Sequence, residues 1–94
     1  MTDLLTAARA EALFSSDLAT GTEPTPAEIA AAIRRSIRSH GGSRGCACAL
    51  AGAFGDRPET AVPRMRWALR LVRAVYPRTT PVATRTRTDR RAER

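Results

Sequence analysis

Isoleucine recurs at positions 29, 33 and 37, one helical turn apart, and alanine, serine and arginine fill the positions between. That spacing sets a single apolar stripe along a helix. The helix has a marked start. Thr25-Pro26-Ala27-Glu28 has the form of a capping box, in which the threonine hydroxyl accepts from the Glu28 amide and the Glu28 carboxylate reaches back. Pro26 falls at the first helical position, where its missing N–H costs nothing. Arg34, Arg35 and Arg38 lie off the stripe near the C-terminal end, where cations complement the helix dipole, and Gly41-Gly42 ends the element.

Three further helices follow from weaker patterns. The first runs from about Leu4 to Phe14 behind Asp3 as N-cap, with Leu5, Ala8 and Ala12 in one row and Leu4 and Ala8 in another. Ser15 to Pro24 reads as a loop. A short helix from about Arg44 to Phe54 surrounds Leu50 with alanine and cysteine, and Gly55 is placed to cap it. Its small residues let a neighbouring helix approach closely. The last helix begins near Asp56-Arg57-Pro58-Glu59 and runs to Val75 or Tyr76, before Pro77. A proline inside a helix costs ~3 kcal/mol, so Pro63 either starts this helix or kinks it. No strand pattern is present. The expected fold is all-α: a four-helix domain over residues 1–76, followed by an arginine-rich tail over 77–94 that reads as disordered.

A chain of 94 residues makes one small domain, which buries only about 60–65% of the surface its unfolded chain exposes. Such a core is usually supplemented by a disulfide, a metal or a second subunit. The two cysteines, Cys46 and Cys48, are too close in sequence to close a useful loop. On a helix their thiols also point about 200° apart, and a structural zinc site wants four ligands with wider pair spacing, so two buried, inert thiols are expected and no metal. His40 is expected to meet the last carbonyls of the second helix. The N-terminus lacks the basic region and apolar run of a signal peptide, and the longest nearly apolar stretch, Cys46 to Phe54, is far too short to span a membrane. A soluble, cytoplasmic protein is the expectation.

Charge changes the picture by its position. All 16 basic residues are arginine, and lysine, asparagine and glutamine are absent, a composition that points to a GC-rich genome as much as to arginine chemistry. Residues 1–28 hold one arginine against five acids, a net of −4, and residues 29–94 hold 15 arginines against four acids, a net of +11. A field that basic favours phosphate backbones, anionic lipid heads or an acidic protein.

From Cys46 to Trp67 the chain resembles a helix-turn-helix, through Leu50-Ala51, Phe54-Gly55 and Pro58-Glu59-Thr60-Ala61. In that motif a small residue, here Ala51, lies four before the turn glycine, here Gly55. The resemblance implies a second helix whose first residues meet base edges, here Arg57, Thr60 and Arg64, with Arg66 and Arg70 on phosphates. Two positions depart from the pattern: Asp56 stands where an aliphatic residue is usual, and Pro63 falls inside the would-be reading helix. The same stretch, with Arg64-Met65-Arg66-Trp67-Ala68, is also similar to short uncharacterised actinobacterial proteins.

On a helical wheel Arg66, Arg70 and Arg73 of the last helix fall within about 60° of one another. Met65, Trp67, Leu69, Leu71, Val72, Val75 and Tyr76 spread over most of the remainder, wider than the apolar arc of an ordinary surface helix. Either this helix is central, or part of its face (Trp67, Leu71, Val75) meets a partner or a second copy in a dimer. Double-stranded DNA is thus the first expected partner, and a protein or homodimer partner the alternative. No nucleophile–base pair, phosphate loop or cofactor motif is visible, so neither catalytic residues nor cofactors are expected and the chain does not read as an enzyme.

Overall fold

A computed structural model describes residues 3–77, and the arginine-rich tail expected over 77–94 lies outside them apart from Pro77. Four helices follow in order: α1 (Leu4–Phe14), α2 (Pro26–Ser39), α3 (Ser43–Asp56) and α4 (Pro58–Val75). No strand occurs among the described residues.

Each helix begins where local chemistry allows. The Asp3 carboxylate accepts from the Thr6 amide at 2.7 Å, the N-cap bond that satisfies one of the first amides of α1. The capping box of α2 is complete in both directions: Glu28 N–H donates to Thr25 Oγ1 at 3.1 Å, and Thr25 N–H to Glu28 Oε1 at 2.7 Å. At the other end, Gly42 N–H donates to the Ile37 carbonyl at 2.7 Å and Gly41 N–H to that of Arg38 at 3.4 Å. Both glycines lie in the left-handed region, at φ 76° and 111°, so α2 ends in a Schellman motif that turns the chain directly into α3. The joint is tight. A Cβ at Gly45 would overlap the His40 carbonyl, so the first turn of α3 can pass the end of α2 only with glycine there.

The α3–α4 joint is shorter than expected. Gly55 lies inside α3, outside the group of left-handed glycines, and Arg57 alone separates the two helices at φ −142° and ψ 69°. Ala51, expected at the helix crossing, is exposed. Pro63 neither starts α4 nor ends it. The helix runs through it, and both Pro63 and Glu59, whose carbonyl loses its helical donor, are exposed, so water can replace the missing bond.

The central element is α1, which packs against all three other helices and most extensively against α4. The last helix, α4, for which a central place was one of two expectations, also touches all three others, though α2 and α3 less extensively than α1. The buried stripe of α1 also differs from the expected rows: Thr6, Ala10, Leu13 and Phe14 face inward with Ala12, whereas Leu4 and Leu5 are 90% and 58% exposed. The reason is geometric. The C-terminal half of α1 is surrounded on several sides, so Ala10 and Ala12 to Phe14 are buried together, whereas in the first turn Thr6 faces the core and the two leucines lie on other sides of the helix. Around Leu13 and Phe14 the core gathers Ile29 and Ile33 of α2, Cys46 of α3, and Trp67, Leu71 and Val72 of α4. Alanines at 10, 32, 61 and 68 are completely or almost completely buried, and their short side chains let helix backbones approach closely.

Replacing Gly45 by alanine should therefore destabilise the fold by about 1–3 kcal/mol, as inserting a methyl group into a packed site does. Urea unfolding followed by circular dichroism reads this directly. A Gly52→Ala control, where nothing lies within 4 Å of the added Cβ, should be neutral or stabilising.

Candidate nucleic-acid interface

The outer face of α4 follows from its inner one. Trp67, Ala68, Leu71 and Val72 are buried, and Met65, Leu69, Val75 and Tyr76 are half-buried against the same cluster. What remains outward is the arc that carries Arg66, Arg70 and Arg73, all exposed. At the N-terminal end of the helix, Arg57 and Thr60 are exposed as well, and the Thr60 hydroxyl donates to the Arg57 carbonyl at 3.2 Å. Five of the arginines and polar residues expected to face a nucleic acid or lie beside that face are thus on the surface of one helix and its cap.

Arg64 is placed differently. It shares the inward side of α4 with Trp67, Ala68 and Leu71, at the three- and four-residue spacings of one helix face. Its guanidinium reaches the end of α1. Nε donates to the Phe14 carbonyl at 2.7 Å, Nη2 to that of Ser16 at 2.9 Å, and Nη1 both to that of Leu18 at 2.7 Å and to Thr20 Oγ1 at 3.0 Å. The cation lies 5.6 Å from the Phe14 ring centroid and 5.0 Å from that of Trp67. The last carbonyls of a helix have no partner within it and carry the negative end of its dipole. Arg64 meets both needs from 50 residues away. Burial lowers its pKa, because the charged guanidinium loses part of its hydration there, and an arginine still keeps its proton at neutral pH. Four of its five donors are directed inward, so little of its fork faces outward.

Trp67 and Leu71, expected at a partner interface, are 5% and 4% exposed. The indole N–H donates to the Thr22 carbonyl at 2.9 Å, which pins the loop between α1 and α2 against α4. Val75, the third residue of that set, is half-buried. Most of the wide apolar arc of α4 is therefore covered within one chain, by α1, α2 and α3, with loop 15–24 held over Trp67. The Arg9 guanidinium, 3.9 Å from the Tyr76 ring centroid, covers the far end of the same helix.

Sequence reasoning missed the acids of that loop. Asp17 meets Arg35 of α2 at 3.2 Å, and Glu23 meets Arg70 of α4 at 3.0 Å. All four side chains are at least half exposed, and such pairs contribute little to stability, about 0–1 kcal/mol. The charge asymmetry between residues 1–28 and the rest was a signal for contacts of this kind, since an acidic N-terminal segment packed on basic helices must meet arginines.

Other chemistry is sparse. Cys46 is buried, with Sγ 3.8 Å from the Ser36 hydroxyl and carbonyl, but Cys48 is exposed, so only one of the two thiols is inside. His40 Nδ1 lies 2.9 Å from the Ser36 carbonyl at the end of α2. No group of three or more histidine, cysteine or acidic residues suited to a metal occurs among the described residues. A cleft of about 340 Å³ lies between loop 15–24 and α2, lined in part by Ser15, Ser16, Arg35 and Ser39. Its serine protons are already engaged: Ser15 donates to the Cys46 carbonyl, Ser16 to that of Leu13 and Ser39 to that of Ser36. No helix among the described residues is long and apolar enough to cross a membrane.

No protein-family model matches this chain, and neither the curated proteins nor the solved structures contain a significant match.

Arg64→Ala should lower stability by roughly 2–4 kcal/mol, since it strands the carbonyls that a charged donor satisfied. Arg64→Lys should recover only part of this, because an ammonium on a flexible stem cannot form the fork. Thermal melting measures both, and equal stability of the alanine variant and the parent would overturn the role given to Arg64.

Proposed function

We propose that this protein binds double-stranded DNA, as a small regulatory or architectural protein, through the outward face of α4. One observation carries the reading: α4 packs most of its apolar residues against the core and leaves an arginine arc, Arg66, Arg70 and Arg73, outward along a helix of 18 residues. An α-helix fits the major groove, and arginines grouped on one arc of it can meet phosphates along one edge of that groove. Arg57 and Thr60, at the exposed start of the helix, are the residues offered to base edges. In this reading α3 and α4 act as a helix-turn-helix-like pair joined at Arg57, and Arg64 serves as a brace that holds α4 on the body of the domain and makes no DNA contact. The net charge of +7 adds attraction independent of sequence. The function is one of binding, with no catalytic step.

The alternative is an adaptor that meets another protein, or a second copy of itself, through the apolar face of α4. It has less support, because Trp67 and Leu71 already fill the core of the single chain.

The test is fluorescence anisotropy with a labelled duplex over a salt series. To separate helix from tail, the full chain is compared with one carrying serine at Arg85, Arg87, Arg90, Arg91 and Arg94. Binding should survive that change in weakened form. Arg66→Ala should then lower affinity by about 5–10-fold near 0.1 M salt and reduce the slope of log K against log salt by about 1, as expected for one lost phosphate contact. If the tail substitutions abolish all binding, α4 is not the reader.

A further inference from the structure

Loop 15–24 crosses between the two basic helices and delivers one carboxylate to each. Asp17 sits on Arg35 of α2 and Glu23 on Arg70 of α4. The loop is not free to swing. Its backbone is held from beneath by Arg64, through the Ser16 and Leu18 carbonyls and the Thr20 hydroxyl, and by the Trp67 indole, through the Thr22 carbonyl. The backbone is thus anchored from within, while the two acid side chains stay exposed, 75% for Asp17 and 70% for Glu23. A rigid platform that presents two carboxylates to two arginines on different helices is an unusual use for a loop whose anchoring needs neither acid.

We infer that these two carboxylates stand where phosphates of the bound polyanion would sit, so that the DNA-facing surface is composite, taking in Arg35 of α2 together with Arg70 of α4. This rests on the DNA reading given above and extends it to a second helix. The chemistry matches. A carboxylate and a phosphate oxygen both accept from a guanidinium, with the phosphate group offering more acceptor oxygens. The magnitudes match as well. Exposed ion pairs contribute about 0–1 kcal/mol each, so a phosphate can displace either acid at small cost. Arg34 and Arg38, exposed on α2 beside Arg35, continue the basic surface past the loop. In the free protein the acids hold the two arginines in place and lower affinity for stray anions. On DNA the phosphates take over the two guanidiniums, and each acid opposes binding by competing for its own arginine.

The inference has a directional consequence. Removing either acid should strengthen binding by more than one unit of net charge does elsewhere. Asp17→Asn and Glu23→Gln should each bind duplex DNA roughly 3–10-fold more tightly than the parent at about 0.1 M salt, with a slope of log K against log salt steeper by up to about 0.9. Glu11→Gln is the charge-matched control, since Glu11 lies on α1 away from both arginines' ion pairs, and it should change affinity less than 2-fold. Arg35→Ala should weaken binding about 5–10-fold, and adding Asp17→Asn to it should give no further gain, because the acid then has no arginine to mask. Melting of each variant verifies that the fold is kept, which the weakness of exposed pairs predicts.

The outcomes separate cleanly. If the parent binds DNA and both neutralising variants match Glu11→Gln, the composite surface is refuted and the α4 reading stands. If neither the parent nor any variant binds duplex DNA at low salt, the DNA reading itself fails and takes this inference with it. Tighter binding by Asp17→Asn that disappears in the Arg35→Ala background supports the inference.

Discussion

The contact between Arg64 and the end of α1 holds this fold in register. A helix terminus leaves carbonyls that need donors, and burying them without partners costs about 1–3 kcal/mol each. Here the terminus of the central helix is completed by one side chain from the last, whose cation also lies beside Phe14 and Trp67. A single guanidinium therefore fixes the position of α4 on α1 and the path of loop 15–24. The loop in turn sets where Asp17 and Glu23 meet their arginines. Withdraw that residue and the other contacts lose their common reference.

The features that could be read from the sequence are those whose cause is local. The capping box of α2, the glycines that end it and the proline that opens α4 act within a turn of where they stand, and each element begins or ends close to where those residues place it. Local rules fail where burial is decided by neighbours. Leu4 and Leu5 form good apolar rows on a wheel, yet in the first turn of α1 it is Thr6 that faces the core, and the leucines stay in solvent. Pro63 is costly in an isolated helix and acceptable here because its stranded carbonyl partner faces water.

The candidate interface divides along the same line. The arginine arc of α4 follows from helical periodicity, and the structure leaves it outward. The helix-turn-helix resemblance puts Arg64 among the base-facing residues, although its spacing to Trp67, Ala68 and Leu71 puts it on the apolar side. An arginine within an apolar stripe signals a buried terminus to be satisfied, and that signal was present in the sequence. The loop acids were hidden for another reason: ion pairs between residues 17 and 35, or 23 and 70, depend on a chain path that no local pattern encodes.

The central place of α1 also has a consequence for how the molecule comes into being. Among the described helices, α1 is made before the three that pack on it, and its most extensive partner, α4, is made after the other two. At a synthesis rate of about 5–20 residues per second, α1 waits several seconds for α4. During that interval Leu13 and Phe14 have only α2 and then α3 to shelter them. Helical proteins usually fold fast because their contacts are local. Here the most extensive contact joins the first and fourth helices, so closing that long loop, rather than forming any single helix, sets how fast the domain folds.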